Sequence, residues 1–185
     1  MPQLHVYQAT EDLPAHYEYQ IRSFMRILWP GHQEDDLDQP LTEPELHPTY
    51  FVLATEHTVM SYARTIWMPV SYAGQTFKLY GLGDVLTLPA SRHQGYGGQI
   101  VAAATAHICA DAEADAAILL TEPRLENFYR RSGWEHIPHL TILTGEHAHA
   151  QPCDAFPMML FLSPTARNMR TTFQTQPLFL PGEEW

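Results

Sequence analysis

The chain has 185 residues, 45% hydrophobic and 17% charged, which is near the size of one domain and enough to bury a sizeable core. Its formal charge of -11 comes from 21 acidic against ten basic residues, with Lys78 the only lysine; no basic stripe can form for nucleic acid, while the overall field draws in a cationic small molecule. No apolar run is long enough for a bilayer, and Met1-Pro2-Gln3-Leu4-His5 lacks the basic-then-apolar layout of a secretory signal, so the expectation is a cytoplasmic protein with no membrane partner.

In chain order, residues 4–8 alternate like a short strand. Thr10-Glu11-Asp12 then offers a cap and acidic first turn to a helix whose Ile21, Phe24, Met25 and Leu28 share one face, ending near Pro30. Residues 31–48 are acidic and proline-punctuated, holding Glu34, Asp35, Asp36, Asp38, Glu43 and Glu45, and are too long for a plain connector; segments of this length are functional or disordered. Residues 50–55, 59–72 and 76–88 read as three strands, the last two joined by a tight turn at Ala73-Gly74-Gln75, giving an antiparallel meander.

After Pro89 the pattern changes to a helix over 96–112, a buried strand over 116–121, and a helix opened by Pro123 and closed by Gly133. Residues 137–143 and 158–162 read as further strands, and a proline- and aromatic-rich tail ends at Trp185. Cys109 and Cys153 lack metal-ligand spacing and read as small buried hydrophobes. His147 and His149 lack carboxylates at ligand spacing and read as surface residues, so no metal is expected.

The informative stretch is a strand, Asp84-Val85-Leu86-Thr87-Leu88, feeding an alanine-rich helix through Pro89-Ala90-Ser91-Arg92-His93-Gln94-Gly95-Tyr96-Gly97-Gly98. Glycines there let the backbone approach a ligand, the first-turn N–H groups point at an anion, and Arg92 adds a charge-assisted bond; a pyrophosphate fits. The loop has no Gly-Lys-Ser/Thr, which sets aside the nucleotide-hydrolase loop. It follows a meander rather than an opening β-α-β unit, which sets aside the dinucleotide fingerprint. Glycines serving only a tight turn and close helix packing remain an alternative.

These residues resemble the GNAT acetyltransferase superfamily, whose cofactor signature, Arg/Gln-x-x-Gly-x-Gly/Ala between strand and helix, is met by Arg92, Gly95 and Gly97. A second signature, an aromatic-tyrosine pair before a glycine-aromatic turn, is met by Phe128-Tyr129-Arg130-Arg131-Ser132-Gly133-Trp134. The resemblance spans residues 3–162 and departs at Glu122, where family members often carry an asparagine. It implies an α/β (α+β) GNAT acyl-CoA N-acyltransferase fold, with a mixed, mostly antiparallel central sheet flanked by helices, as one domain over 1–185 with a C-terminal tail, 163–185. The implied activity is transfer of an acetyl group from acetyl-CoA to a primary amine of a small cationic substrate. The implied cofactor residues are Val85, Leu86, Thr87, Arg92, His93, Gln94, Gly95, Tyr96, Gly97 and Gly98. A homodimer is compatible with this reading.

The chain is also similar, more faintly, to aminoglycoside 2'-N-acetyltransferases: it has the Gly-Trp pair after the tyrosine helix and ends Gly182-Glu183-Glu184-Trp185. That likeness implies Asp35, Asp36, Glu183, Glu184 and Trp185 as substrate residues; an acidic tail that is merely a solvated end is the alternative. The expected chemistry is attack of the amine on the thioester where residues 84–88 splay from strand 116–121, with amides near 85–87 steadying the oxyanion. Tyr129 protonates the departing thiolate, and Asp84 takes the amine proton, provided a bulge turns it toward the substrate, since the aminoglycoside enzymes place their acid at the position of Gly83. Two alternatives belong to other classes: a non-catalytic acyl-CoA sensor, and an acetyltransferase for protein N-termini or lysines, which would need an open peptide groove.

Overall fold

The computed structural model describes residues 1–8, 12–30, 40–145, 149–181 and 185. Their contacts divide into two units, Met1–Ile66 with Asp84–Ala104, and Trp67–Gly83 with Thr105–Trp185.

In the first unit, β1 (Gln3–Tyr7) pairs antiparallel with β2 (Thr49–Ala54), from Gln3↔Ala54 to Tyr7↔Tyr50. The first part of β3 (Val59–Tyr72) pairs with β2 in turn, from Thr49↔Thr65, with a register shift at Leu53/Ala54. β2 is buried along its whole length, so it carries a continuous apolar run rather than alternation. Helix α1 (Ala15–Leu28) buries Tyr17 and Ile21 against Tyr50, Val52 and Tyr62, with Phe24, Met25 and Leu28 at the margin. Tyr17 Oη donates to the Thr55 carbonyl at 2.7 Å and Gln20 Oε1 accepts from Val59 N–H at 3.0 Å, pinning helix to sheet. The helix begins after Pro14 without a side-chain cap, in place of the cap expected at residues 10–12, of which Thr10 and Glu11 lie outside the described residues. Pro14 serves because a helix N-terminus lacks intrahelical N–H partners anyway.

In the second unit, β3 turns into β4 (Gln75–Thr87) through Ala73 and Gly74 at φ 48° and 78°. Two positive φ values in a two-residue turn match the right-handed twist of a hairpin. The helix after the loop, α2 (Tyr96–Ala110), leads to β5 (Ala116–Thr121), which is parallel to β4 from Leu79↔Ala116 to Gly81↔Ile118. A single turn of 3-10 helix, Pro123–Leu125, runs into α3 (Glu126–Arg130), and β6 (Glu135–His136) follows. The strand order is β1-β2-β3-β4 for the first unit's strands and β4-β5-β9-β6 for the second's, β9 being Phe156–Phe161. Among the described strands of this sheet β4 and β5 pair parallel, while β1–β2, β2–β3, β5–β9 and β6–β9 pair antiparallel, so the sheet is mixed and mostly antiparallel, as expected.

The stretch 137–143, expected as one strand, is broken. Pro138 has no N–H to donate and His139 adopts φ 65°, so β6 ends before them and β7 (Ile142–Gly145) joins a different, three-stranded sheet, ordered β10-β7-β8. Its other strands are β8 (Gln151–Cys153) and β10 (Leu178–Pro181). Between β9 and β10 stand α4 (Pro164–Asn168), capped by Ser163 Oγ accepting from Ala166 N–H, and α5 (Arg170–Phe173). Phe173 stacks on Tyr72 at 4.3 Å. Cys109 is exposed and Cys153 half-buried, correcting the expectation that both are buried. His149 is exposed, and His147 lies outside the described residues.

Candidate active site

The end of β4 feeds α2 through one tight segment. Leu88 N–H bonds the Met60 carbonyl at 2.9 Å, closing the hairpin, and Ser91 N–H bonds Leu88 in a 3-10 turn, Pro89–Ser91. The chain then passes through left-handed positions at His93 (φ 62°) and Gly95 (φ 84°). Glycine adopts such a φ at no steric cost, and a Cβ built on Gly95 or on Gly98 meets nothing within 4 Å.

The first helical bond of α2 is Gln99 N–H to the Gly95 carbonyl, at 3.0 Å. The amides of Gly95, Tyr96, Gly97 and Gly98 therefore form the four donors that a helix N-terminus leaves without intrahelical partners. With the helix dipole behind them they make an anion cradle. Arg92 is exposed beside it, its Nε donating to the Thr87 carbonyl at 3.2 Å, and Gln94 Nε2 donates to the Ala90 carbonyl at 3.3 Å. Loop residues 92–95 are all exposed. Thus Arg92, His93, Gln94, Gly95, Tyr96, Gly97 and Gly98 meet as a single strand-to-helix turn.

Upstream of this turn, β4 is irregular at Asp84, whose φ is 54°. A left-handed conformation costs a non-glycine residue about 1–2 kcal/mol, and such positions persist only where their surroundings impose them. Here the carboxylate Oδ2 lies 3.0 Å from Arg64 Nε on β3, with both side chains largely buried. Arg64 Nη1 also donates to Thr42 Oγ1 at 2.7 Å. Ser61 Oγ donates to the Leu86 carbonyl at 2.7 Å and sits 2.9 Å from Thr87 Oγ1, bracing residues 86 and 87 from β3. Neither Arg64 nor Ser61 emerged from the sequence. The available signal was Arg64 as the one charge in the buried run from Val59 to Ile66, since arginine is almost never buried unpaired.

Tyr129, in the second unit, is 7% exposed. Burial pushes its phenol up to about 12, partly offset by a hydrogen bond with Thr121. Its ring meets Phe128 edge-on at 4.9 Å. The following turn closes with Gly133 at φ 90° and buries Trp134, whose Nε1 donates to Thr105 Oγ1 at 2.9 Å. Glu122 is exposed and paired with Arg124. Of the expected substrate residues, Asp35, Asp36, Glu183 and Glu184 lie outside the described residues. Trp185 packs against the second unit's core, its Nε1 donating to the Pro181 carbonyl at 2.8 Å. No described group of His, Cys, Asp and Glu is arranged to hold a metal ion, and no described helix is long and apolar enough to cross a membrane.

The described residues thus build a mixed α/β fold in which β4 runs through a glycine turn into the N-terminus of α2. A family model described as an acetyltransferase (GNAT) domain matches residues 7–137, a span that includes both the glycine turn and Tyr129; the chain belongs to the GNAT acetyltransferase family. No curated protein matches it by sequence. Among solved structures it is similar to Escherichia coli ElaA, with TM-score 0.59 and 16% identity over 86% of this chain and 99% of that one. It is similar to the Escherichia coli GNAT N-acetyltransferase YhbS in complex with CoA, with TM-score 0.60 and 16% identity over 98% and 89%. A GNAT acetyltransferase from Brucella melitensis in complex with acetyl-CoA gives TM-score 0.56 and 19% identity over 88% and 90%. At such identities the likeness is one of fold.

Proposed function

We propose that the chain transfers an acetyl group from acetyl-CoA to a primary amine of a small cationic substrate. The observation that carries this reading is the set of four amides from Gly95 to Gly98, left without helical partners beside the exposed Arg92. Two similar structures were solved with CoA or acetyl-CoA, and this cradle has the chemistry to hold that donor's pyrophosphate. The donor supplies an activated thioester; the protein's part is to hold it, steady charge and move protons.

In this scheme backbone amides among Val85, Leu86 and Thr87 donate to the thioester oxygen as negative charge develops on it. The amine nitrogen bonds to the carbonyl carbon, the carbon–sulfur bond breaks, and the electron pair leaves on sulfur. Asp84 accepts the proton that the substrate ammonium must lose, and Tyr129 donates its phenolic proton to the departing thiolate. Support for Tyr129 comes from its burial, which keeps the phenol protonated through the whole neutral range. The acidic balance of the chain, -11 overall, supports a cationic acceptor.

The test is release of free CoA thiol from acetyl-CoA in the presence of kanamycin, spermidine and an arylamine, with an N-terminal peptide as a fourth acceptor. Thiol release with a small cationic amine is the expected result. Turnover of the peptide alone would move the protein to the N-terminal acetyltransferases. Binding of acetyl-CoA with no turnover of any acceptor would make it an acyl-CoA sensor.

A further inference from the structure

A guanidinium is among the most expensive groups to bury, and a buried ion pair is often no more stable than apolar residues of the same volume. Arg64 is 5% exposed in β3, a strand that is otherwise uncharged from Val59 to Ile66. Two of its three nitrogens face different elements: Nε meets Asp84 Oδ2 at 3.0 Å on β4, and Nη1 meets Thr42 Oγ1 at 2.7 Å in the segment leading into β2. Thr42 is itself 2% exposed. A planar guanidinium held at both edges has one orientation, which a lysine's single ammonium would not reproduce.

The partner it orients is the residue with the left-handed φ of 54° in β4. A regular strand would send successive side chains to alternate faces. Asp84 departs from that geometry and lies across from Arg64, while Leu86 belongs to the same buried apolar cluster as Tyr62. Arg64 thus sits where it can hold the carboxylate against the strain of its own backbone.

We propose that Arg64 is a positioning residue for the acceptor side of the reaction: anchored on Thr42, its guanidinium fixes the Asp84 carboxylate in the orientation that receives the acceptor's amine. This rests on the reading of Asp84 as the group that takes the amine proton. Arg64 acts through Asp84 and contributes nothing to the donor cradle, so its loss spares the donor and damages the acceptor.

The experiment compares R64M, R64K, T42V, D84N and the double variant R64M/D84N, with kanamycin and spermidine as acceptors. Steady-state thiol release is measured, together with equilibrium binding of both amines and a thermal unfolding curve for each variant. A misplaced reacting group costs up to ~100-fold, so R64M is expected to lose at least ~30-fold in kcat/KM for the amine while KM for acetyl-CoA stays within about twofold. R64K recovers part of the loss, and T42V, which keeps the charge and removes only the anchor, loses about 3- to 10-fold. The double variant is no worse than D84N, because residues that act as one unit are not additive.

A folded R64M whose kcat/KM for the amine stays within threefold of wild type, alongside an impaired D84N, overturns the proposal and leaves the role of Asp84 standing. An unimpaired D84N removes that role and the proposal with it, as does failure of both amines to bind or react. If R64M does not fold, R64K and T42V carry the same comparison, and full activity in both is the overturning result.

Discussion

Tyr129 shows how burial holds a phenol in its protonated form. Its phenol is held at about 12 chiefly because the phenolate would be desolvated, with the Thr121 hydrogen bond pulling the other way. A group so placed keeps its proton through the neutral range, where it can donate a hydrogen bond to sulfur as negative charge develops there. Tyr129→Phe is expected to lower kcat by ~10- to 100-fold, within the usual range for a positioned proton donor, with KM for acetyl-CoA within about twofold. Unchanged turnover removes the tyrosine from the mechanism. The same variant has a second readout in alkali. The folded value lies above the unfolded value of 10.0, so the stability linked to this group is intact below pH 10 and is lost as pH rises through about 12. The loss amounts to about 2–3 kcal/mol for a two-unit shift. The phenylalanine variant lacks that alkaline loss, which urea unfolding at pH 9 and pH 11 would show.

At the level of elements, one cluster in the second unit ties β4 to the end of α2. Lys78 Nζ meets Asp111 at 2.7 Å and lies 4.2 Å over the Trp67 ring, while Tyr80 Oη donates to the same carboxylate at 2.7 Å. The Lys78 and Tyr80 bonds hold the Asp111 carboxyl down at about 2. A depressed carboxylate contributes stability above its unfolded value of 3.8 and loses it as pH falls through 2. The shift corresponds to ~2 kcal/mol, reduced to about 1 by solvent screening at this partly exposed site. Asp111→Asn is therefore expected to lower Tm by about 2–4 °C at pH 7, a difference that closes by pH 2; equal Tm values at pH 7 would remove the cluster from the stability of this unit.

Such cross-element ties mark the border of what sequence patterning reveals. Strands β2 to β5 and the glycine turn were legible because their signals are local: short apolar runs bounded by turn residues, a two-residue turn with Gly74, and glycines between strand and helix. The region past β9 was not. α4, α5 and β10 are four or five residues each, too short for periodicity, and they are held by distant partners such as Tyr72 under Phe173 and β7 beside β10. Arg64 stayed hidden for a related reason. A single arginine in a strand reads as a solvated side chain until the left-handed Asp84 supplies its counter-charge.

For the molecule as a whole, charge sets opposite demands on the two substrates of the proposed reaction. The net charge of -11 attracts a polyamine from a distance but repels a pyrophosphate-bearing donor, which must be captured by short-range donors: the amides of Gly95 to Gly98 and Arg92. Long-range attraction weakens with salt as the screening length falls from ~30 Å at 0.01 M to ~8 Å at 0.15 M, whereas contact bonds in the cradle are screened much less. Raising ionic strength over that interval should increase KM for spermidine by about 3- to 10-fold, the scale on which steering fields act. KM for acetyl-CoA should stay level or fall, because the same salt screens the repulsion of the donor. A neutral amine of similar size separates field from fit, since its KM should not move. If spermidine behaves like the neutral amine, the acidic surface serves solubility alone, and the acceptor's charge must be read by side chains at contact distance.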